Sequence, residues 1–195
     1  MRKVIIIGGG FGGLTAARAL VNYPVEIIII DKTNHHLFQP LLYQVATAAL
    51  SPADIAHPIR SSFGGMKNVS VLLGEVTRID RKSKSVFFNG TQLNYDSLII
   101  AVGSRHHYFG NPEWEKFAPG LKTLNDALEI REKILLSLEA AEKITNPDER
   151  KKYLTFVIIG GGPTGVELAG AIGEIVNKNL INDYRNIDSK QTKVI

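Results

Sequence analysis

The 195-residue sequence contains no cysteine. A disulfide framework, a zinc–thiolate centre and a thiol nucleophile are thereby excluded from this chain. Long apolar runs are missing too. None approaches the ~18 consecutive apolar residues that a membrane-spanning helix requires. The opening "MRKVIIIGGG" has the basic start of an export signal, but glycines cut the apolar run after Ile7, too early for such a signal. Charge of one sign is equally scarce. The net charge is +4, and the densest run, Arg150-Lys151-Lys152, reads as a solvated strand entry rather than a nucleic-acid patch. No nucleic-acid-binding signature accompanies it. His35, His36, His57, His106 and His107 lack partners at metal-ligand spacing, so they are read as loop or surface residues and no metal site is expected.

What is present suits an ordered globular chain: 44% of residues are hydrophobic and 22% charged. The length allows one domain with a sizeable core, or parts of two. "KVIII" (Lys3 to Ile7) and "VEIIIID" (Val25 to Asp31) are short β-branched runs that suit buried parallel strands. Between them the pattern predicts a helix from about Phe11 to Val21, ended by Tyr23-Pro24, which completes a βαβ unit. The following "HHLFQPLLYQVATAALSPADIAHPIR" is apolar yet too turn-rich for one regular element, and loops of that length usually carry function. "VSVLLGEVTRID" and "KSVFFNGTQLNY" alternate and contain the turn pair Asn89-Gly90, so antiparallel strands are expected. "DSLIIAVG" reads as a return to a buried strand. Residues 123–144 read as an amphipathic helix whose Leu124, Leu128, Ile134, Leu135 and Leu138 recur at helical spacing. "YLTFVIIGGG" then opens a second strand, turn and helix, with Pro163 in the first helical turn.

The glycines carry the chemistry. Gly8, Gly10 and Gly13 form G-x-G-x-x-G directly after a strand and at the start of a helix. The first permits the tight turn, the second lets backbone approach a pyrophosphate, and the third lets helix and strand pack closely. The helix start, with Phe11 and Gly12, then offers free N–H groups to phosphate. Asp31 ends the next strand, where an acid receives ribose hydroxyls. Lys32 beside it would touch the adenosine half or remain solvated. Gly160, Gly162 and Gly165 repeat the device, with Pro163 and Thr164 at the second helix start. Its acid should end the following strand, but "KVI" at 193–195 is only the start of that strand. The sequence therefore reads as the N-terminal piece of a longer protein, without the residues that separate NADH from NADPH.

Two fingerprints imply two dinucleotides. The βαβ start, the antiparallel excursion and "LIIAVGS" (Leu98 to Ser104) resemble the two-dinucleotide flavoprotein superfamily that includes the disulfide reductases. The expected class is α/β, a Rossmann-like two-dinucleotide-binding flavoprotein fold whose parallel sheet carries an antiparallel excursion, truncated after the start of the second nucleotide-binding domain. Glutathione-type disulfide reductases and sulfide:quinone reductases need cysteines that this chain lacks. "FQPLLYQVATAALSPADIAHPIR", "GEVTRID", "LIIAVGS" and "IIGGGPTGVELAG" resemble segments of the type II NADH dehydrogenases (NADH:quinone oxidoreductases), in that family's order. The resemblance covers essentially the whole chain. It implies an FAD-binding domain over 1–120, a connecting helix over 121–150 and the start of an NADH-binding domain over 151–195. It further implies, for the full-length parent, hydride transfer from NADH to FAD and two electrons to a membrane quinone, the cofactors supplying the chemistry, while the 195-residue piece alone is expected to be inactive.

By the same resemblance the turn at Ala101 and Gly103 passes close to FAD, Val76 offers its backbone to the adenine edge, and Pro40, Tyr43 and Gln44 lie near the flavin or quinone approach. Phe38, Leu41 and Leu42 are equally readable as loop packing. Aligning the two fingerprints sets Glu167 against Thr15. A carboxylate pointing at a pyrophosphate would repel it, so Glu167 should point aside, towards the nicotinamide–flavin junction, and accept a hydrogen bond from the nicotinamide amide. A helix-stabilising role is the plain alternative. The resemblance also implies peripheral attachment to the cytoplasmic membrane through sequence outside this piece, and uncovered strand edges imply self-association. Three other readings stand beside it: a ferredoxin- or rubredoxin-reductase-like flavoprotein with a protein acceptor, a non-catalytic FAD- or nucleotide-binding module, and an interaction protein with empty sites.

Overall fold

Burial in this protein alternates with the strand pleat. Val4, Ile6, Ile27 and Ile29 enter one core with Leu14, Ala17, Ile59 and Phe63, while Ile5, Ile7, Ile28 and Ile30 enter another with Val86 and Phe88. Unbroken isoleucine runs are what a sheet covered on both faces demands. The computed structural model describes residues 1–180, 183–188 and 191–195.

Strands in chain order are β1 (Arg2–Ile7), β2 (Val25–Asp31), β3 (His35–Leu37), β4 (Ala56–Pro58), β5 (Val69–Leu73) and β6 (Val76–Asp80). Then follow β7 (Ser85–Phe88), β8 (Thr91–Asn94), β9 (Ser97–Ile100), β10 (Thr155–Phe156) and β11 (Lys193–Val194). The α-helices are α1 (Phe11–Leu20), α2 (Leu42–Ala46), α3 (Pro52–Ile55), α4 (Leu124–Lys143), α5 (Pro147–Tyr153) and α6 (Pro163–Glu174). The chain divides into two compact units, one of residues 1–37 and 56–104, the other of residues 38–55 and 105–195.

The first unit is built on a parallel sheet in the order β5-β2-β1-β9. Helix α1 contributes Leu14 and Ala17 to one face, and the antiparallel sheet β6-β7-β8 contributes Val86 and Phe88 to the other. Asn89 and Gly90 both take positive φ, 46° and 76°, at the β7–β8 hairpin, as a tight two-residue turn requires. Two sequence expectations need correction. "VSVLL" was expected to be antiparallel with the rest of its segment, but β5 pairs parallel with β2, Ile29 opposite Val71. Only the half after Gly74 turns into the antiparallel sheet. "DSLIIAVG" was expected to be buried, but Ile100 is 60% and Val102 66% exposed. Strand β9 stands at the sheet's edge, so only Leu98 and Ile99 join the cores beside it.

The second unit packs around α4. Its buried stripe is Ala127, Ile134, Leu138 and Ala141, completed by Leu154, Ile172, Ile175 and Val176. Leu128, expected on that stripe, is exposed, because the small Ala127 one position earlier falls on the axis of the 134–138–141 face. A reciprocal capping box starts the helix: Thr123 Oγ1 accepts from the Asp126 N–H, and Asp126 Oδ2 accepts from that of Thr123. Arg150, Lys151 and Lys152 lie in helix α5 rather than in a strand entry. Asn146 caps it and Pro147 occupies its first turn. The second strand is correspondingly short: β10 is two residues long, pairing parallel with β11.

Candidate functional site

The first glycine turn is shaped by steric exclusion. Gly8 has φ 104°, and a Cβ there would run into the Ala101 carbonyl; its N–H donates to Ile30 O at 2.8 Å. A Cβ on Gly13 would strike the Gly8 carbonyl oxygen, so helix and strand approach more closely than any side chain permits. Gly10 differs: it caps α1 in extended conformation, and a Cβ built on it meets open space. That space is where a ligand's pyrophosphate would need backbone approach, so the turn fits a dinucleotide. No side chain caps α1, because its N-cap is Gly10.

The turn is tied to β2 through Asp31. Its Oδ2 accepts from Gly9 N at 2.5 Å, and its Oδ1 accepts from Thr33 N at 2.6 Å and Thr33 Oγ1 at 2.7 Å. Lys32 is exposed beside it. Phe11 stands half exposed with its ring edge-on to His36, 4.8 Å between centroids. His36 in turn places Nδ1 3.2 Å from the Gly9 carbonyl oxygen. Gly12 faces Ala101, whose own N–H donates to Ile7 O at 2.8 Å. Val76 opens β6 opposite Phe88, and Gly103 turns the chain after β9 with φ 73°. Gly8, Gly10, Phe11, Gly12, Gly13, Asp31, Lys32, Val76, Ala101 and Gly103 thus all belong to the first unit.

The second turn reproduces the first in backbone terms. Gly160 has φ 105°, and a Cβ on Gly165 would strike the Gly160 carbonyl oxygen. Gly162 caps α6 in the same extended conformation as Gly10, with Pro163 in the first turn, Thr164 exposed after it and no side-chain cap. Glu167 is exposed and lines an open cavity of about 550 Å³ with Val166, Gly170, Glu174 and, from α2, Tyr43 and Gln44. Gln44 and Glu167, singled out separately in the sequence, are therefore neighbours across one space. Gln44 Nε2 donates to Tyr43 Oη at 3.2 Å. Pro40 lies in a short 3-10 turn, Gln39–Leu41, and does not line the cavity. Glu174, on the cavity's rim, bonds Lys178 Nζ at 2.7 Å, which holds its carboxyl below the usual glutamate range. Glu174 therefore stays ionised near neutral pH, its charge matched by the Lys178 ammonium.

Two features escaped the sequence. Ala48 takes φ 62° after α2, and Gln44 O accepts from Ala49 N at 2.8 Å and Leu50 N at 3.1 Å. This ending usually employs glycine, so alanine gave no signal of it. His36 is the other, since its partner is a backbone carbonyl 27 residues away.

The family model of the pyridine nucleotide-disulphide oxidoreductases matches residues 2–187. The chain belongs to this family. Among its relatives are two type II NADH:quinone oxidoreductases of Mycobacterium tuberculosis, NdhA and Ndh, 52% and 49% identical over 99% of the chain. The chain spans 42% of the length of each of these relatives. The solved structure of NDH2 from Plasmodium falciparum in complex with NADH is similar with a TM-score of 0.87 and 30% identity, over 99% of this chain and 41% of that one. Rubredoxin and ferredoxin reductases also share the fold, at 23% and 22% identity and TM-scores of 0.66. At that identity the chain shares with them the fold alone.

Proposed function

We propose that this chain forms the dinucleotide-binding part of a type II NADH:quinone oxidoreductase, with FAD on the first glycine turn and NADH on the second. One observation carries this reading: two geometrically matched G-x-G-x-x-G turns, each free of side-chain capping, in a chain 52% identical to NdhA. A flavin held at the Gly8–Gly13 turn would supply the chemistry, hydride acceptance from NADH and delivery of two electrons to a quinone. The chain's residues bind and orient. The Gly10, Phe11 and Gly12 segment presents its N–H groups to the first pyrophosphate, and Asp31 holds the turn and faces the ribose. Lys32 flanks the adenosine half, Val76 offers backbone to the adenine edge, and Ala101 and Gly103 line the flavin side. Gly160, Gly162, Pro163, Thr164 and Gly165 serve the second pyrophosphate in the same way.

Glu167 fixes the nicotinamide by accepting from its carboxamide, and Gln44, across the cavity, is a second polar group for that ring's neighbourhood. Pro40 belongs to the same approach. In this reading residues 1–120 serve FAD, 121–150 connect, and 151–195 begin the NADH domain. Quinone as acceptor, self-association and a peripheral place on the cytoplasmic face of the membrane are part of the proposal. Among the described residues no helix is long and apolar enough to cross a membrane.

The test is a visible spectrum of protein loaded with FAD and desalted. Bound flavin absorbance in wild type and its loss in Gly10→Val are the expected results, because a Cβ at this position meets no protein atom and the side chain enters the space the pyrophosphate needs. Colourless wild type, or full absorbance in the variant, would remove FAD from this turn. Bleaching by NADH and re-oxidation by a soluble quinone then test the acceptor.

A further inference from the structure

Gly9 is the one residue of the first turn whose two backbone polar groups are both held by side chains. Its N–H donates to Asp31 Oδ2 at 2.5 Å, and its carbonyl oxygen lies 3.2 Å from His36 Nδ1. A carbonyl oxygen can only accept, so this contact is a hydrogen bond only when His36 carries a proton on Nδ1. Free neutral imidazole is under no such constraint, and the tautomer is set by this bond. The residue is anchored twice more. Its strand, β3, pairs antiparallel with β4, His36 opposite His57, and its ring meets Phe11 edge-on at 4.8 Å between centroids. Phe11 is the first residue of α1, and Gly10 between them is the N-cap.

From this geometry we infer that His36 is a positioning residue for the phosphate-binding turn, which fixes the Gly9–Gly10 peptide by donating Nδ1–H to the Gly9 carbonyl. The inference rests on the proposal that this turn binds FAD. The physical reason is electrostatic. A peptide that rotates freely at this point turns its carbonyl dipole towards an incoming anion as readily as its neighbour's N–H. Holding the oxygen to the β3 side leaves the N–H groups of the α1 start to face the pyrophosphate, at no reorganisation cost on binding. Asp31 alone cannot do this, because it grips the other side of the residue. The Phe11 contact makes the His36 ring a wall beside the turn and limits the orientations from which Nδ1 reaches the carbonyl.

Two measurements test it. In ¹⁵N-imidazole spectra of the wild-type chain at pH 8, neutral His36 should hold its proton on Nδ1; an Nε2–H tautomer would overturn the inference whatever the chain binds. In FAD titrations, His36→Phe keeps a ring against Phe11 but removes the donor, and affinity should fall about fivefold, the scale of one neutral hydrogen bond. His36→Asn places an amide N–H near the position of Nδ1 and should restore affinity to within about twofold, consistent with loss and regain of that same bond. Equal affinity of His36→Phe and wild type would overturn the role, as would equal weakening by both variants. Failure of wild type to bind FAD would instead overturn the functional proposal while leaving the tautomer result standing. Should His36→Phe fail to fold, the tautomer spectrum and His36→Asn still decide.

Discussion

The two glycine turns share a backbone and differ in their surroundings. Gly8 and Gly160 have φ values of 104° and 105°, and Gly13 and Gly165 each press on the carbonyl of the turn's first glycine. Around Gly8, however, the chain closes in: Ala101 blocks any side chain, Asp31 and His36 hold Gly9, and four strands lie in register. Around Gly160 a Cβ meets open space, Val157 and Ile159 are 65% and 80% exposed, and among the described residues the sheet has two short strands. The same local sequence thus yields the same local turn in both settings. What the first setting adds is fixation of Gly9 by the side chains of Asp31 at the end of β2 and His36 in β3.

The largest expected effect breaks this symmetry. Gly8→Ala combines the left-handed backbone penalty of about 1–2 kcal/mol with overpacking against Ala101, a further ~1–3 kcal/mol. Gly160→Ala meets only the first penalty, about 1–2 kcal/mol. Chemical denaturation of the two variants should therefore show Gly8→Ala markedly less stable. Equal losses would mean that the two turns are equally enclosed.

A second substitution probes how the unit around Gly160 is held together. Glu142, in the last turn of α4, accepts from Arg185 N at 2.9 Å, from Asn186 N at 3.0 Å and from Ile187 N at 3.2 Å. Burial alone would raise its carboxyl, but these three N–H groups and the Arg150 charge outweigh it and hold the group below the usual glutamate range. A carboxyl depressed in the folded state adds stability above its unfolded value and loses it as pH falls through the folded value. Glu142→Gln should therefore lower the melting midpoint at pH 7, and its deficit should shrink as pH falls below about 4, the ordinary glutamate range. A deficit independent of pH would show that shape, not charge, secures residues 185–187.

The smallest structural effect is expected at Glu167. The residue is exposed, so Glu167→Gln should melt with wild type and retain FAD. Under the proposed function its signature is chemical: in the intact enzyme, rapid-mixing records should show slower flavin bleaching by NADH, since displaced reacting groups cost up to about 100-fold in rate. Wild-type bleaching at all NADH concentrations would leave Glu167 a helix residue and remove the cavity it shares with Gln44 from the NADH site.

Much of this was legible in the residue order because the underlying rules are local. The glycine spacing, the β-branched runs, the Asn89-Gly90 hairpin and the Thr123 helix start each depend on neighbours a few positions away. "VSVLL" was misjudged because a pattern of alternation reports a strand but not its partner; β2, not β6, claims it. "DSLIIAVG" was misjudged because apolar composition does not say whether a strand lies inside a sheet or at its edge. Arg150 looked like a surface cation, yet its guanidinium donates to Ile144 O and Asn186 O, both at 2.9 Å, acceptors that no periodicity reveals.

By itself, then, the sequence determined where the two turns form and which residue types line them, because steric rules at glycine act within a turn's own span. Only the tertiary structure decided that Gln44 and Glu167 share a cavity, that Ala48 accepts a left-handed conformation, and that His36 reaches the Gly9 carbonyl. Each of these joins residues far apart in the chain or sets a backbone against its own preference. Such arrangements persist through the combined packing of the elements around them, a property of the folded whole that no short window of residues contains.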